Sequence, residues 1–290
     1  MKLAGVVVLY NPSKNTLDNI NLYIDGLDKL YVVDNSDKET DLEFKNKKIE
    51  YIKNGENLGI AKALNIGANK AIKDGYEWLL TMDQDSILKE KELEEMKNFI
   101  TKMKSDDYLQ KILSVKYDEL ALVSPLHMTV MDHNPEEITG ITSPMYVMTS
   151  GNIINLNIYK KIGGFKDWLF IDSVDLEYCL NIRKNNFKIL RLNHIKMQHS
   201  LGEGIVKYIG KKKIYSLNHS PIRRYYIVRN RHYVYDMYKQ EFKDFCKLEL
   251  SRTKTELAKI LLFEPQKIKK VSYMLKGYLD YKRGVKNGKK

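Results

Sequence analysis

The sequence predicts an α/β protein with a doubly wound, mostly parallel central sheet, followed by a helical, basic C-terminal extension. Three observations carry this. Short continuous apolar runs, the mark of strands buried on both faces, recur through the first hundred residues. Segments of helical periodicity separate most of them. Beyond Pro221 the pattern is helical to the end, and there the charge turns positive.

Taken in order, Gly5 to Tyr10 is a Val/Leu run that reads as the first strand, and Leu17 to Leu27 is compatible with a helix. Leu30 to Val33 is the second strand and runs into Asp34-Asn35-Ser36; Ile49 to Ile52 is the third and runs into Asn54-Gly55-Glu56-Asn57. Gly59 to Ile72 places Ile60, Ala63, Leu64, Ile66, Gly67 and Ala71 on one helical side. Trp78 to Met82, the fourth strand, ends in Asp83-Gln84-Asp85, and a Glu/Lys-rich helix follows from Lys89 to about Met103. Ala121 to Pro125, Ile138 to Ser143 and Tyr146 to Ile154 read as strands, some antiparallel. Helices are expected at Tyr159 to Gly164 and Leu176 to Lys184, and a strand at Ile189 to Leu192. No internal repeat or low-complexity linker interrupts this order.

With 290 residues, 43% of them hydrophobic, the chain can build a real core, which excludes a disordered tail, a disulfide mini-protein and a collagen-like repeat. The net charge of +12 is unevenly placed. Residues 201–290 hold 23 basic and 8 acidic side chains, whereas residues 1–200 hold 26 and 29. A basic last third suits an anionic partner or a Lys-rich solvated surface. Cys179 and Cys246 lie too far apart for a metal motif, which points to a reducing compartment. The N-terminal apolar run stops at Tyr10-Asn11-Pro12, too early for a signal peptide, and no run reaches about 18 apolar residues. The expected location is the cytoplasm.

The chemistry-bearing groups fall at strand ends. Asp83 and Asp85, one residue apart after a buried strand, can share a hard divalent cation whose other ligands are phosphate oxygens. Asp34 and Asn35 offer a carboxylate and an amide to a base or ribose, or make an ordinary turn. Asn54, Asn57, Gly59 and Asn65 form a loop and helix start where amides and backbone N–H groups can meet ribose or phosphate. In Phe170-Ile171-Asp172-Ser173-Val174-Asp175-Leu176-Glu177, one acid suffices as a helix N-cap and another is left to act as a general base. His199 follows a strand and offers a metal ligand, a phosphate contact or a structural imidazole.

These residues resemble a known family. Leu9-Tyr10-Asn11-Pro12, Val32-Val33-Asp34-Asn35-Ser36, the segment from Asn57 to Asn65, Asp83-Gln84-Asp85-Ser86, Phe170 to Tyr178 and Arg223-Arg224-Tyr225-Tyr226-Ile227-Val228-Arg229-Asn230 are similar, in this order, to motifs of bacterial family 2 glycosyltransferases. The branch most resembled is that of rhamnosyltransferases of cell-surface polysaccharide synthesis. The likeness covers about residues 3 to 235 and implies a GT-A fold, with a Rossmann-like central sheet. It also implies a nucleotide-sugar donor, a divalent metal (Mg2+ or Mn2+) and an inverting transfer. It places Asp83, Asp85 and His199 at the metal, Asp85 ahead of Asp83 as direct ligand. Tyr10, Asn11, Asp34, Asn35, Asn57, Gly59, Asn65, Asp83, Gln84 and Arg229 fall at the donor, with Arg223 a second cation for the leaving group. Ser150, Gly151, Asn152 and Trp168 are acceptor contacts. Many relatives carry adjacent acids where this chain has Asp172-Ser173. Ser173 cannot be the base, so the role passes to Asp172 first and Asp175 second.

The expected donor is dTDP-L-rhamnose, with a UDP-hexose or UDP-galactofuranose as alternatives, and the acceptor is a saccharide, lipid-linked in many relatives. Residues 1–220 would form the catalytic domain and residues 221–290 a helical basic region. That region is read as a contact for anionic membrane, which would make the protein peripheral on the inner face of the plasma membrane, or as a homodimer contact. Two other classes fit parts of the chain: a nucleotidyltransferase, which also pairs carboxylates with a metal, and a nucleic-acid-binding protein, suggested by the Tyr/Arg-interleaved stretch at 223–233. Neither accounts for the order of the six motifs, so nucleic acid is not an expected partner.

Overall fold

The computed structural model describes residues 1–38, 40–128, 139–198, 204–210 and 212–286. The chain divides into two compact units, residues 1–167 with 175–200 and residues 168–174 with 201–290. The expected boundary at residue 220 falls on Ser220, the cap of a helix inside the second unit.

The first unit runs β1 (Leu3–Leu9), α1 (Asn15–Asn21), β2 (Lys29–Asp34), β3 (Ile49–Lys53), α2 (Ile60–Lys73), β4 (Trp78–Asp83), α3 (Glu90–Ser105), α4 (Asp107–Leu113), β5 (Leu120–Met128), β6 (Ile141–Thr142), β7 (Asn152–Asn155), α5 (Leu156–Ile162), α6 (Val174–Lys184) and β8 (Lys188–Gln198). Its eight strands form one sheet in the order β3-β2-β1-β4-β7-β5-β8-β6. Strands β1 to β4 are mutually parallel, as are β5 and β8; β7 runs antiparallel between β4 and β5, and β6 antiparallel to β8. The sheet is thus mostly parallel, as the alternation of strand and helix signals predicts. Every residue of β1 is buried, which explains its unbroken Val/Leu run. One core cluster joins Val7, Leu9, Leu80 and Met82 to Ile20, Leu93, Met96 and Ile100. The alanines of α2 (Ala61, Ala63, Ala68, Ala71) are buried, small enough for a helix to lie close on a sheet.

Three expectations change in detail. The helix expected at Leu17 to Leu27 ends at Asn21 and is followed by a 3-10 turn, Ile24–Gly26. Of the strand expected at Tyr146 to Ile154, only Asn152 onward is extended, because Gly151 turns the chain at φ 78°. The strand expected to stop at Leu192 continues to Gln198, its register against β5 shifting after Pro125, a residue with no N–H to give the ladder. Helix α4, which has no expected counterpart, is short and has no fully buried residue, only Leu109 and Leu113 packing part-buried against the core.

The second unit contains the hairpin β9 (Ile205–Ile209) and β10 (Lys212–Ser216), then α7 (Pro221–Tyr238), α8 (Lys243–Phe263) and α9 (Lys267–Lys282). Helix α7 starts with Ser220 as cap and Pro at its first turn. Its Tyr/Arg interleaving is interior. Arg224 pairs with Glu264 at 2.7 Å and Glu256 at 3.2 Å, Arg231 with Glu256 at 2.6 Å, and the Tyr225 hydroxyl donates to Asp280 at 2.8 Å. These side chains therefore build the helical unit. Helix α9 crosses α7 at Gly277, where a β-carbon would lie 2.4 Å from the Tyr225 carbonyl oxygen. Among the described residues no helix is long and apolar enough to cross a membrane.

Candidate active site

Because β3, β2, β1 and β4 are adjacent and parallel, their carboxyl ends share one edge of the sheet. Register puts Asp34 beside Leu9 and Lys53, and Asp83 beside Val8. Side chains then lace the loops together. The Gln84 amide accepts from the Tyr10 N–H at 2.8 Å and donates to the Tyr10 carbonyl at 3.1 Å, joining the ends of β1 and β4. The Asn11 N–H donates to Ser36 Oγ at 2.8 Å. Asp34, only 1% exposed, accepts from the Ser36 N–H at 2.8 Å and from the Tyr51 hydroxyl at 2.6 Å. Asn35 donates to the Gly59 carbonyl at 3.0 Å and accepts from Asn54 at 2.7 Å, tying the β2 loop to the start of α2. Asn57 Oδ1 accepts from the Gly59 N–H at 2.9 Å, and Gly59 caps α2 at φ 85°, a conformation that favours glycine.

The rim so built exposes Tyr10, Asn11, Asp37 and Asp85, with Asn57, Asp83 and Gln84 half-buried and the N-terminus of α2 beside them. Ser36, the end of the Asp34-Asn35-Ser36 motif, belongs to it, and so do Tyr51 and Asp37, which no motif reasoning singles out. Tyr51 reads as part of an apolar strand, and its hydroxyl function shows only once β2 and β3 are paired. Asn65 is different. Its amide donates to the Phe165 carbonyl at 2.8 Å and to Asp167, and accepts from the Phe165 N–H at 3.1 Å and the Tyr159 hydroxyl, which fills its hydrogen-bonding capacity. It fastens α2 to the loop after α5 and has nothing left for a donor.

Asp83 and Asp85 stand at the tip of β4. The Asp83 N–H donates to Ser150 Oγ at 2.9 Å, and the Ser86 N–H to the Asp83 carbonyl at 3.3 Å, so the backbone under both carboxylates is fixed. Two hard oxygen ligands with one carboxylate exposed fit a divalent cation that completes its shell with diphosphate oxygens and water. Among the described residues no group of three His, Cys, Asp or Glu side chains surrounds one point. His199 lies outside the described residues. Ser150 and Asn152, expected at the acceptor, are buried; Ser150 supports Asp83 and Asn152 donates to the Met148 carbonyl at 2.7 Å, so both act beneath the rim. Gly151, between them, donates its N–H to the Thr81 carbonyl at 2.7 Å.

In the second unit, the loop 168–173 presents Asp172. Phe170, Asp172 and Ser173 all have positive φ, at 66°, 63° and 62°. Asn230 Nδ2 donates to the carbonyls of Leu169, Ile171 and Asp172 at 2.9, 2.8 and 2.9 Å. Arg229 is fully buried, donates to the Trp168 and Leu169 carbonyls at 2.7 and 3.3 Å, and lies over the rings of Tyr225 and Tyr226. It is a scaffold for this loop, and no charge remains at the surface for a diphosphate. Asp172 accepts from Arg223 Nε at 3.1 and 3.2 Å and pairs with Nη2 at 3.1 Å. Burial raises the Asp172 pKa above the ordinary carboxylate range, and the Arg223 charge opposes that rise without cancelling it. Trp168 packs edge-on against Tyr233, with the Lys286 ammonium over its ring. Asp175, in the first unit, occupies the first turn of α6 and lines a small cavity with Thr81, Asn152, Tyr178 and Cys179.

The family model described as Glycosyl transferase family 2 matches residues 6–165. The chain is 32% identical over 240 residues to the dTDP-rhamnosyl transferase RfbF of Shigella flexneri, spanning 78% of this chain and 77% of that protein. Among solved structures, residues 1–349 of S. aureus TarS in complex with UDP-GlcNAc superpose with a TM-score of 0.59 at 15% identity, over 98% of this chain and 82% of that one. GalNAc-T7 with UDP, GalNAc and Mn2+ gives 0.56 at 14% identity, over 85% and 49%. At such identities these two structures speak to the fold alone.

Proposed function

Since the chain belongs to glycosyl transferase family 2 and is a glycosyltransferase, we propose that it moves L-rhamnose from dTDP-L-rhamnose to a saccharide acceptor of cell-surface polysaccharide, with inversion at the anomeric carbon. The observation that carries this reading is the cross-laced rim at the ends of β1 to β4, with Asp83 and Asp85 at its tip. Such a rim offers hydrogen-bonding groups to a nucleoside, helix-end N–H groups to a phosphate and two carboxylates to a cation. Asp85, with Asp83, would hold a divalent cation, which offsets the negative charge that builds on the departing diphosphate. Asp172 is the base. It takes the acceptor hydroxyl proton while that oxygen bonds to the anomeric carbon, and the carbon–oxygen bond to the diphosphate breaks on the opposite face. Arg223, paired with Asp172, favours the ionised carboxylate that the base needs and opposes the effect of burial.

The donor is tested with a panel of dTDP- and UDP-sugars read by thermal shift and saturation transfer. The expected result is the largest stabilisation from dTDP-L-rhamnose; a larger one from a UDP-hexose or UDP-galactofuranose would replace the rhamnose assignment. Support for dTDP-rhamnose is the kinship with a dTDP-rhamnosyl transferase over more than three quarters of both chains.

A further inference from the structure

Helix α9 is amphipathic in an unusual sense. Its buried positions, Lys270, Met274, Gly277 and Asp280, face the interior of the second unit, where Gly277 meets the α7 backbone. At 100° per residue, Ile268, Leu275 and Leu279 fall within about 40° of one another on the opposite side. Ile268 is 87% exposed and Leu275 58%, and Leu279 is exposed as well. The last turn of α8 adds Leu261 and Leu262, the latter 63% exposed. Among the described residues this stripe of aliphatic side chains has therefore been placed where packing leaves it largely uncovered.

Along α9 itself the exposed charges carry a single sign, while Asp236 of α7 accepts from the Tyr281 hydroxyl on the side away from the stripe. Between residues 265 and 286 six basic side chains are exposed: Lys267, Lys269, Lys276, Lys282, Arg283 and Lys286. The acids nearest in sequence, Glu264 and Asp280, are buried and engaged, Glu264 with Arg224 and Lys270 and Asp280 with Tyr225. Tyr278, exposed at the edge of the stripe, has the Lys282 ammonium over its ring. A helix lying in a lipid interface has this composition, with aliphatic residues along one line, an aromatic at its margin and cations beside them. A second copy of the chain fits less well. A two-fold contact would bring this face against itself and set its cations against one another.

We infer that the outward face of α9, with Leu261 and Leu262, docks the protein on an anionic bilayer surface, the aliphatic stripe entering the headgroup boundary and the lysines meeting lipid phosphates. Such docking is read out as binding, independently of turnover. The full-length protein is sedimented with phosphatidylcholine vesicles and with vesicles that also contain phosphatidylglycerol, at low and high salt, beside the variant I268D/L275D. Because both positions are exposed, the variant should melt like the wild type.

The expected result is binding to the phosphatidylglycerol vesicles alone, weakened by salt, and at least about tenfold weaker in the variant. Equal binding by wild type and variant would overturn the assignment of the face. Failure of the wild type to bind the anionic vesicles would overturn the occupant. A concentration-dependent dimer in analytical ultracentrifugation that I268D/L275D abolishes, without vesicle binding by the wild type, would give the face to a second copy.

Discussion

Asp172 sits between Phe170 and Ser173 in a stretch where three non-glycine residues have positive φ. Each such residue costs about 1–3 kcal/mol, so the loop persists only because its surroundings determine it. The Asn230 amide supplies that constraint through three carbonyls, and the buried Arg229 through two. Strain held in place around a buried, raised-pKa carboxylate suits a general base. Asp172→Asn is expected to lower kcat by about 100- to 10,000-fold while the affinity for dTDP, measured by calorimetry, stays at the wild-type value. The pH dependence follows from the same geometry. The base works ionised, so the rate rises as pH passes upward through its pKa, and Arg223 holds that pKa below where burial alone would put it. Arg223→Ala should therefore move the acid limb of kcat/KM to higher pH; an unmoved limb would separate Arg223 from the base. At this scale the sequence discloses residue type and spacing but not direction. Asp83 and Asp85 are legible because both follow a buried strand. Arg229, Asn65, Ser150 and Asn152 are not, because an amide, hydroxyl or guanidinium reads the same whether it faces a ligand or a neighbouring carbonyl. Only burial distinguishes them.

Helices α7 and α9 touch backbone to side at Gly277, and the arrangement is locked nearby by Glu264. One Glu264 oxygen accepts from Arg224 at 2.7 Å and from the Ser216 hydroxyl, and the other from Lys270 at 2.7 Å, so β10, α7, the end of α8 and α9 meet on one buried carboxylate. A β-carbon at Gly277 would press a main-chain oxygen, which no rotamer change can move aside. Gly277→Ala should cost about 1–3 kcal/mol, while Lys276→Ala on the exposed side should stay within about 0.5 kcal/mol. Thermal melts of the two variants decide this; equal melting temperatures would mean that the helices separate freely at this crossing. Elements were readable in proportion to how their burial repeats. The strands β1, β2 and β4 are largely apolar runs, and all of β1 to β4 agree with expectation to within two residues at either end. The hairpin β9–β10 is not legible because lysines dominate the segment and read as charge, and the break between α8 and α9 has only Pro265 to mark it.

For the molecule as a whole, charge sets the terms on which a nucleotide sugar can bind. Residues 1–200 are close to neutral overall, yet Asp83 and Asp85 stand at the tip of β4, where the diphosphate is proposed to lie. Two like charges about 4 Å apart repel by roughly 1 kcal/mol in water and about 4 kcal/mol near a protein surface, so carboxylates and diphosphate oppose each other there unless a cation intervenes. A divalent ion held by Asp85 and Asp83 would turn that opposition into attraction. Binding of dTDP and of Mn2+ must then be coupled, each tightening the other by the same factor. Calorimetry should show dTDP binding at least about fivefold tighter with Mn2+ than with EDTA, within the usual range for coupled sites. Hydrogen exchange should show matching protection of peptides covering 8–12, 33–37 and 82–86. In Asp85→Asn the cation's effect on dTDP should vanish, while protection of the Asp34 loop, which depends on the nucleoside, remains. If Mn2+ leaves dTDP affinity unchanged in the wild-type protein, the two carboxylates of β4 do not bridge a metal to the donor, and their role must be sought in ordering the rim instead.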